Sequence, residues 1–262
     1  MSLTGTPSTT TSALRLDSGG VSLAASIVKP AGSAASGTGR HGLVLCHGFP
    51  VEPTALGPGQ GYVELAERLA AETGWVVLTV SFRGTGPSEG DFSLAGWLAD
   101  LKVGIDGCLA VPGVDAIWVC GFAAGGSLAL CAAGEDVRVK GVAAFAAPAD
   151  FADRASDARR FVAQARSVGV IRDPTFPPDL DAWARELREI RPLNLIGKIP
   201  PRPVLLVHGA NDEVVPLLDA RALADAAEGD VELRVLAGAG HRLRHDPRAI
   251  ALLLGWLDRQ TS

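Results

Sequence analysis

The sequence predicts an α/β domain with a mostly parallel central sheet and helices on both faces. Three observations carry that expectation. Short apolar runs alternate along the chain with amphipathic stretches, the rhythm of strands joined by crossover helices. Several runs, residues 140–147 most clearly, are apolar without a polar alternate, as strands covered on both faces are. With 262 residues, the chain is near the upper end of what one hydrophobic core supports, so a single domain over residues 13–260 is expected.

The elements follow in order. Residues 1–12 are a Ser/Thr/Gly segment with little to bury, expected as a flexible tail. Two alternating runs, 13–17 and 21–28, flank Ser18-Gly19-Gly20 and read as a β-hairpin. A Gly/Ser/Ala linker covers 31–40. A strand at 42–46, a helix at 62–72, a strand at 75–80 and a helix at 94–109 come next. The alternation continues with a strand at 116–121, a helix opening at Gly125 and a strand at 140–147. It breaks between Pro148 and Pro201. There, two polar amphipathic helices, 152–168 and 178–190, flank a Pro-rich segment at 173–178, and the region 148–198 reads as a helical cap inserted between strands. A strand at 203–209, a helix at 217–227, a strand at 231–236 and a closing helix at 247–259 restore the rhythm.

Composition narrows the function classes. Lys plus Arg total 24 against 29 acidic residues, a net charge of −5, so no basic field is present to hold nucleic acid or an anionic membrane. Four cysteines, at 46, 108, 120 and 131, form no C-x-x-C pair and have no His at ligand spacing. Buried free thiols are expected rather than a zinc site or a disulfide scaffold, and neither metal nor cofactor is implied. The first residues show no secretory pattern, and no run approaches the roughly 18 apolar residues of a membrane span, so a cytoplasmic protein acting on a small molecule is expected.

In open α/β sheets, ligands bind beyond the carboxyl ends of the strands. The segments there are His47-Gly48-Phe49-Pro50, Phe82-Arg83-Gly84-Thr85-Gly86, Gly121-Phe122-Ala123-Ala124-Gly125, Asn211-Asp212 and Gly238-Ala239-Gly240-His241. From about residue 13 to 260, this set resembles the α/β-hydrolase superfamily, of the serine hydrolase or esterase type. In that family, a G-x-nucleophile-x-G turn between strand and helix carries the nucleophile, and the triad runs nucleophile, acid, histidine along the chain. Positions 123, 212 and 241 keep that order. The resemblance implies that Asp212 orients His241 and that the backbone N–H groups of Phe49 and Ala124 form the oxyanion hole. In relatives, the bond before the residue matching Pro50 is often cis.

The departure lies at the turn itself, where the family places Ser, Cys or Asp and this chain has Ala123. A methyl group cannot attack a carbonyl. Ser127 does not head a second such turn, since position 129 is Ala rather than Gly, and it reads as a small packing residue. Cys120 reads as core. Asp150 is an alternative acid and His245 an alternative histidine, while a plain turn at Asn211-Asp212 and a plain loop at His241 are the non-catalytic readings. Epoxide hydrolases resemble the chain at His47-Gly48-Phe49-Pro50, but use an Asp nucleophile and cap tyrosines; the only tyrosine here, Tyr62, is outside the cap. Chemistry at an ester, thioester or amide remains. Phe151, Phe161, Phe176 and Trp183 of the cap could line an acyl pocket or simply pack the cap. Three functions stay open: a serine hydrolase with its nucleophile replaced and activity lost or strongly impaired, a natural pseudoenzyme that binds a small molecule, and Asp–His general-base chemistry without a covalent intermediate.

Overall fold

The computed structural model describes residues 9–31, 40–52 and 60–261. Most of the linker read at 31–40 lies outside them. The first strand, β1 (Thr9–Ser18), runs antiparallel to β2 (Val21–Pro30), and Gly19 and Gly20, both at positive φ, close the hairpin in a two-residue turn. The tail expected over 1–12 is therefore wrong from Thr9 onward. Thr9, Thr10, Thr11 and Ser12 pair with Pro30, Lys29, Val28 and Ile27, and Thr11 Oγ1 donates to Glu67 at 2.7 Å. Threonine's β-branched side chain suits such a strand, and backbone pairing rather than burial orders it.

Then follow β3 (Arg40–Cys46), α1 (Gln60–Thr73), β4 (Val76–Val80), α2 (Leu94–Leu109), β5 (Val114–Phe122), α3 (Ala124–Glu135) and β6 (Val139–Phe145). Between β6 and β7, the segment expected as a cap holds α4 (Ala152–Ser156), α5 (Ala158–Ser167), α6 (Leu180–Glu189) and two short 3₁₀ turns, Pro192–Asn194 and Ile196–Lys198. The core closes with β7 (Val204–Gly209), α7 (Leu217–Ala226), β8 (Glu232–Leu236) and α8 (Pro247–Asp258). The helix expected over 152–168 is two helices. Asp157 leaves helical geometry (φ −127°, ψ 65°), and its side chain accepts from the Arg160 amide as the N-cap of α5.

The eight strands form one sheet in the order β1-β2-β4-β3-β5-β6-β7-β8, parallel from β4 to β8, with β2 antiparallel to β4. Alternate residues of each central strand bury on opposite faces. Val44 and Cys46 of β3, and Ile117 and Val119 of β5, join the core under α2, α3 and the cap. Leu43, Leu45, Trp118 and Cys120 join the core under α1 and α8. The chain leaves β3 for β4 on one side and returns to β5 on the other, so the connections after β3 and β5 diverge and open a crevice between them. No helix among the described residues is long and apolar enough to cross a membrane.

Candidate active site

The crevice is built first from backbone. Ala123 sits between β5 and α3 at φ 50°, ψ −126°, a region costly for any residue with a Cβ, and its amide donates to Phe145 O at 2.8 Å. The surrounding glycines are fixed by close approach rather than by flexibility. A Cβ on Gly121 would run into the Gly125 carbonyl, and one on Gly125 into the carbonyl of His47. Strand β5, helix α3 and the connection after β3 are thus in backbone contact at a single point. Ser127 is fully buried and donates from Oγ to Pro148 O at 2.6 Å, which ties α3 to the start of the cap.

His47 fastens the connection after β3. Its Nδ1 donates to Gly48 O at 2.9 Å, and its Nε2 accepts from the Phe82 amide at 3.0 Å. Burial pushes its pKa down to about 4, against a smaller opposing effect of the Gly48 carbonyl, so the ring is neutral. The amide of Phe49, two residues on, and the first amide of α3, that of Ala124, donate to no acceptor among the described residues, and both residues line the same cavity. The described cis peptide bonds precede Pro177 and Pro201; the bond before Pro50 is not one of them.

Asp212 and His241 come together from the loops after β7 and β8. His241 Nδ1 donates to Asp212 Oδ2 at 2.9 Å, while Oδ1 accepts the amides of Val214 and Val215, both at 2.9 Å. The carboxylate is fully buried and the imidazole 19% exposed, so the acid is fixed and the ring reaches the cavity. His208 was not singled out from the sequence. It ends the apolar run of β7, is buried, donates from Nε2 to Val215 O at 2.9 Å and lies 3.5 Å from Asp212 Oδ2. Its signal was a histidine at a strand's carboxyl end, four residues before the acid. Asp150 faces the cavity, but its carboxylate caps Ala152 and meets Arg191 at 3.4 Å rather than a histidine; His245 accepts from Arg244.

Two cavities meet at Ala123 and His241. The first, about 240 Å³, lies under the cap between Phe49, Phe92, Phe151 and Phe161 on one side and Val214 and Pro216 on the other. Phe176 and Trp183 are not among its lining residues. Trp183 is buried behind it, donating from Nε1 to Phe92 O and packing on Phe161, while Phe176 packs against the cap core. The second, about 300 Å³, opens between the connection after β3 and the loop 241–245 that precedes α8, past Tyr62 and Arg244. Among the described residues, neither is lined by a Ser, Thr or Cys. All four thiols are buried, with pKa values pushed up by burial, so none offers a ready thiolate. Among the described residues, no three His, Cys, Asp or Glu side chains gather as metal ligands.

Comparison with known proteins places this arrangement. The sequence profile of the "Alpha/beta hydrolase family" matches residues 43–252. Esterase LipC of Mycobacterium tuberculosis is 28% identical over an alignment of 236 positions that covers 76% of this chain and 54% of that protein. The chain thus spans about half the length of this curated relative. Among solved structures, GrgF, an alpha/beta hydrolase from Penicillium sp. sh18, superposes with a TM-score of 0.70 at 20% identity, covering 96% of this chain and 98% of that one. Est1E from Butyrivibrio proteoclasticus, solved with ferulic acid bound, gives 0.67 at 22% identity over 95% and 97% of the two chains. At these identities, the solved structures speak to fold alone.

Proposed function

Because this chain belongs to the alpha/beta hydrolase family, we propose that its crevice is the acyl site of an esterase-type hydrolase that lacks the covalent nucleophile. The chain then holds an ester, thioester or amide but turns it over weakly or not at all. The observation that supports this most is the backbone at Ala123. An alanine gains nothing from φ 50°, a conformation that costs about 1–3 kcal/mol. The same conformation would present a serine Oγ to the ligand beside His241.

The roles follow from the geometry. Asp212 accepts the Nδ1 proton of His241, leaving Nε2 as the base, and the amides of Phe49 and Ala124 receive the carbonyl oxygen as it gains charge. With a serine at 123, its oxygen would attack the carbonyl carbon while its proton passed to Nε2. Collapse would then expel the alcohol, which takes that proton, and water would release the acid by the same route. A second reading has one observation in its favour: the Asp212–His241 pair is intact without a nucleophile. His241 would then take a proton directly from water as that water adds to the carbonyl.

The test is hydrolysis of p-nitrophenyl esters, acetate to octanoate, by the chain and by Ala123→Ser. Loss of a triad nucleophile costs on the order of 10⁶ in kcat and leaves about 10³ to 10⁴ over water. Ala123→Ser is therefore expected to raise kcat by several orders of magnitude and to be labelled by a fluorophosphonate. Activity of the unaltered chain that disappears in His241→Gln would favour the second reading. A folded Ala123→Ser that is inactive on every ester and unlabelled overturns the proposal.

A further inference from the structure

The two cavities at Ala123 and His241 differ in charge. Around the first stand three carboxylates, Asp150, Asp153 and Asp219, against the guanidinium of Arg154 and that of Arg191, which reaches Asp150 at 3.4 Å. Around the second, among the described residues, stand Arg242 and Arg244 against the single carboxylate of Glu52, while His245, whose Nε2 accepts from Arg244 and whose pKa is pushed down by burial and by the two arginines, adds no charge. Both arginines follow His241 so closely that the loop which supplies the base also supplies the cations. From this asymmetry we infer that the second cavity receives the leaving-group side of the ligand, and that this side carries an anionic group, a carboxylate or a phosphate, bound by Arg244 with Arg242 at the rim. The inference rests on reading Ala123 and His241 as the reacting centre.

Arg244 is held ready for such a group. Its guanidinium lies 4.9 Å over the Tyr62 ring, one nitrogen donates to Gly61 O at 2.8 Å and another to His245 Nε2 at 2.9 Å. Those contacts leave part of its five-donor fork unspent, and no carboxylate pairs with it among the described residues. The sequence between Glu52 and Gln60 contains no acidic residue that could. An aromatic ring beneath a guanidinium fixes its plane and lowers the ordering cost of a two-pronged contact with an oxyanion. Arg242 contributes less: it is 72% exposed and stands 3.8 Å from an equally exposed Glu52, a pair that solvent screens.

Since the unaltered chain lacks a serine at 123, turnover is at most weak, and binding of intact esters can be measured once product release over the titration has been checked to be negligible. Isothermal titration of phenyl butyrate, 3-carboxyphenyl butyrate and monophenyl succinate places the charge nowhere, on the leaving side and on the acyl side. The expected order is 3-carboxyphenyl butyrate about tenfold tighter than phenyl butyrate, with monophenyl succinate no tighter than the neutral ester. The advantage should shrink in 0.5 M NaCl, roughly a 4 Å screening length. It should disappear in Arg244→Gln and partly return in Arg244→Lys. A 3-phosphonooxyphenyl butyrate arm distinguishes phosphate from carboxylate. Equal binding of the first three esters, tightest binding of the succinate, or an advantage that survives Arg244→Gln overturns the inference. If Arg244→Gln fails to fold, Arg242→Gln and the salt series on the unaltered chain decide it in the same way. Failure of the anionic ester to bind also overturns it. In that case, fluorophosphonate labelling of Ala123→Ser tells whether the parent reading stands without it.

Discussion

The turn at Ala123 and the cap above it enclose the same cavity and are held by different means. Around the turn, the contacts are backbone on backbone: the bend of β5 into α3 leaves room for no side chain at Gly121 or Gly125, and the Ala123 amide reaches across to Phe145. The cap meets the core backbone on backbone at one place, where the Phe92 amide donates to Val170 O at 2.9 Å beside Gly84, and is otherwise tied down by side chains reaching to carbonyls. Arg172 donates to the carbonyls of Ser88, Gly84 and Gly86 and Trp183 to Phe92 O, while Arg188 joins two cap helices through Ala155 O. A side chain can change rotamer when a neighbour changes, but a backbone pressed against backbone has no such freedom. Substitutions should therefore be intolerable at the turn and, away from the Gly84–Val170 contact, absorbed in the cap.

Gly125→Ala is the largest test of that contrast. Its new methyl would occupy the position of the His47 carbonyl, which can move only if β3 moves. A loss above about 4 kcal/mol in urea unfolding, or failure to fold, is expected. A loss under about 1 kcal/mol would mean that the turn is as adaptable as the cap.

Next in size is acid. His47 holds its pKa at about 4 through burial, against 6.5 for a free imidazole. Above pH 6.5, folded and unfolded states are both neutral and the full stability is present. As the pH falls below 6.5 the unfolded chain takes up the proton first, so stability is lost progressively down to about pH 4 and levels off there. The window corresponds to about 3 kcal/mol. Urea unfolding at pH 7 and pH 4.5 reads it, and His47→Gln, if folded, should flatten that part of the profile.

What the sequence disclosed follows the same division. The runs at 42–46, 116–121 and 203–209 announced buried strands because parallel strands bury both faces, and the glycines flanking Ala123 announced a tight turn because backbone contact excludes every other residue. The contact between Asp212 and His241 was legible through the resemblance of the strand-end loops to a hydrolase's triad order. Side-chain packing was not. Phe176 and Trp183 are as aromatic as Phe151 and Phe161, and sequence spacing does not say which of them meets the cavity. The break at Asp157 looked like one helix because its apolar spacing continues across the cap residue. The strand from Thr9 was hidden because its residues are mostly exposed and gain their order from pairing with β2. His208 was hidden because it sits within an apolar run.

Arg172→Ala tests the cap side of the comparison. It removes donors to three carbonyls, but Arg172 is itself exposed and water can replace much of what is lost. About 1–2 kcal/mol is expected. In the Ala123→Ser background, the change should appear in KM for longer esters more than in kcat, since the cap and not the turn has loosened. Equal losses in kcat and kcat/KM would place Arg172 in the support of the turn and blur the distinction.

The smallest effect has the opposite sign. Ala123→Gly relieves a conformation that costs a Cβ-bearing residue about 1–3 kcal/mol, and glycine returns about 0.4–1 kcal/mol of this through its freer unfolded chain. The net expectation is stabilisation by about 1 kcal/mol, seen as a higher urea midpoint at unchanged slope. Ala146, at φ 49° just after β6, supplies the internal control. Its amide donates to Val207 O, and Ala146→Gly should gain a similar amount if positive φ alone sets the effect. A gain at 146 with none at 123 would mean that contacts of the Ala123 methyl offset its strain. The turn would then have adapted to alanine, which favours a long-standing binding role over a recent loss of serine.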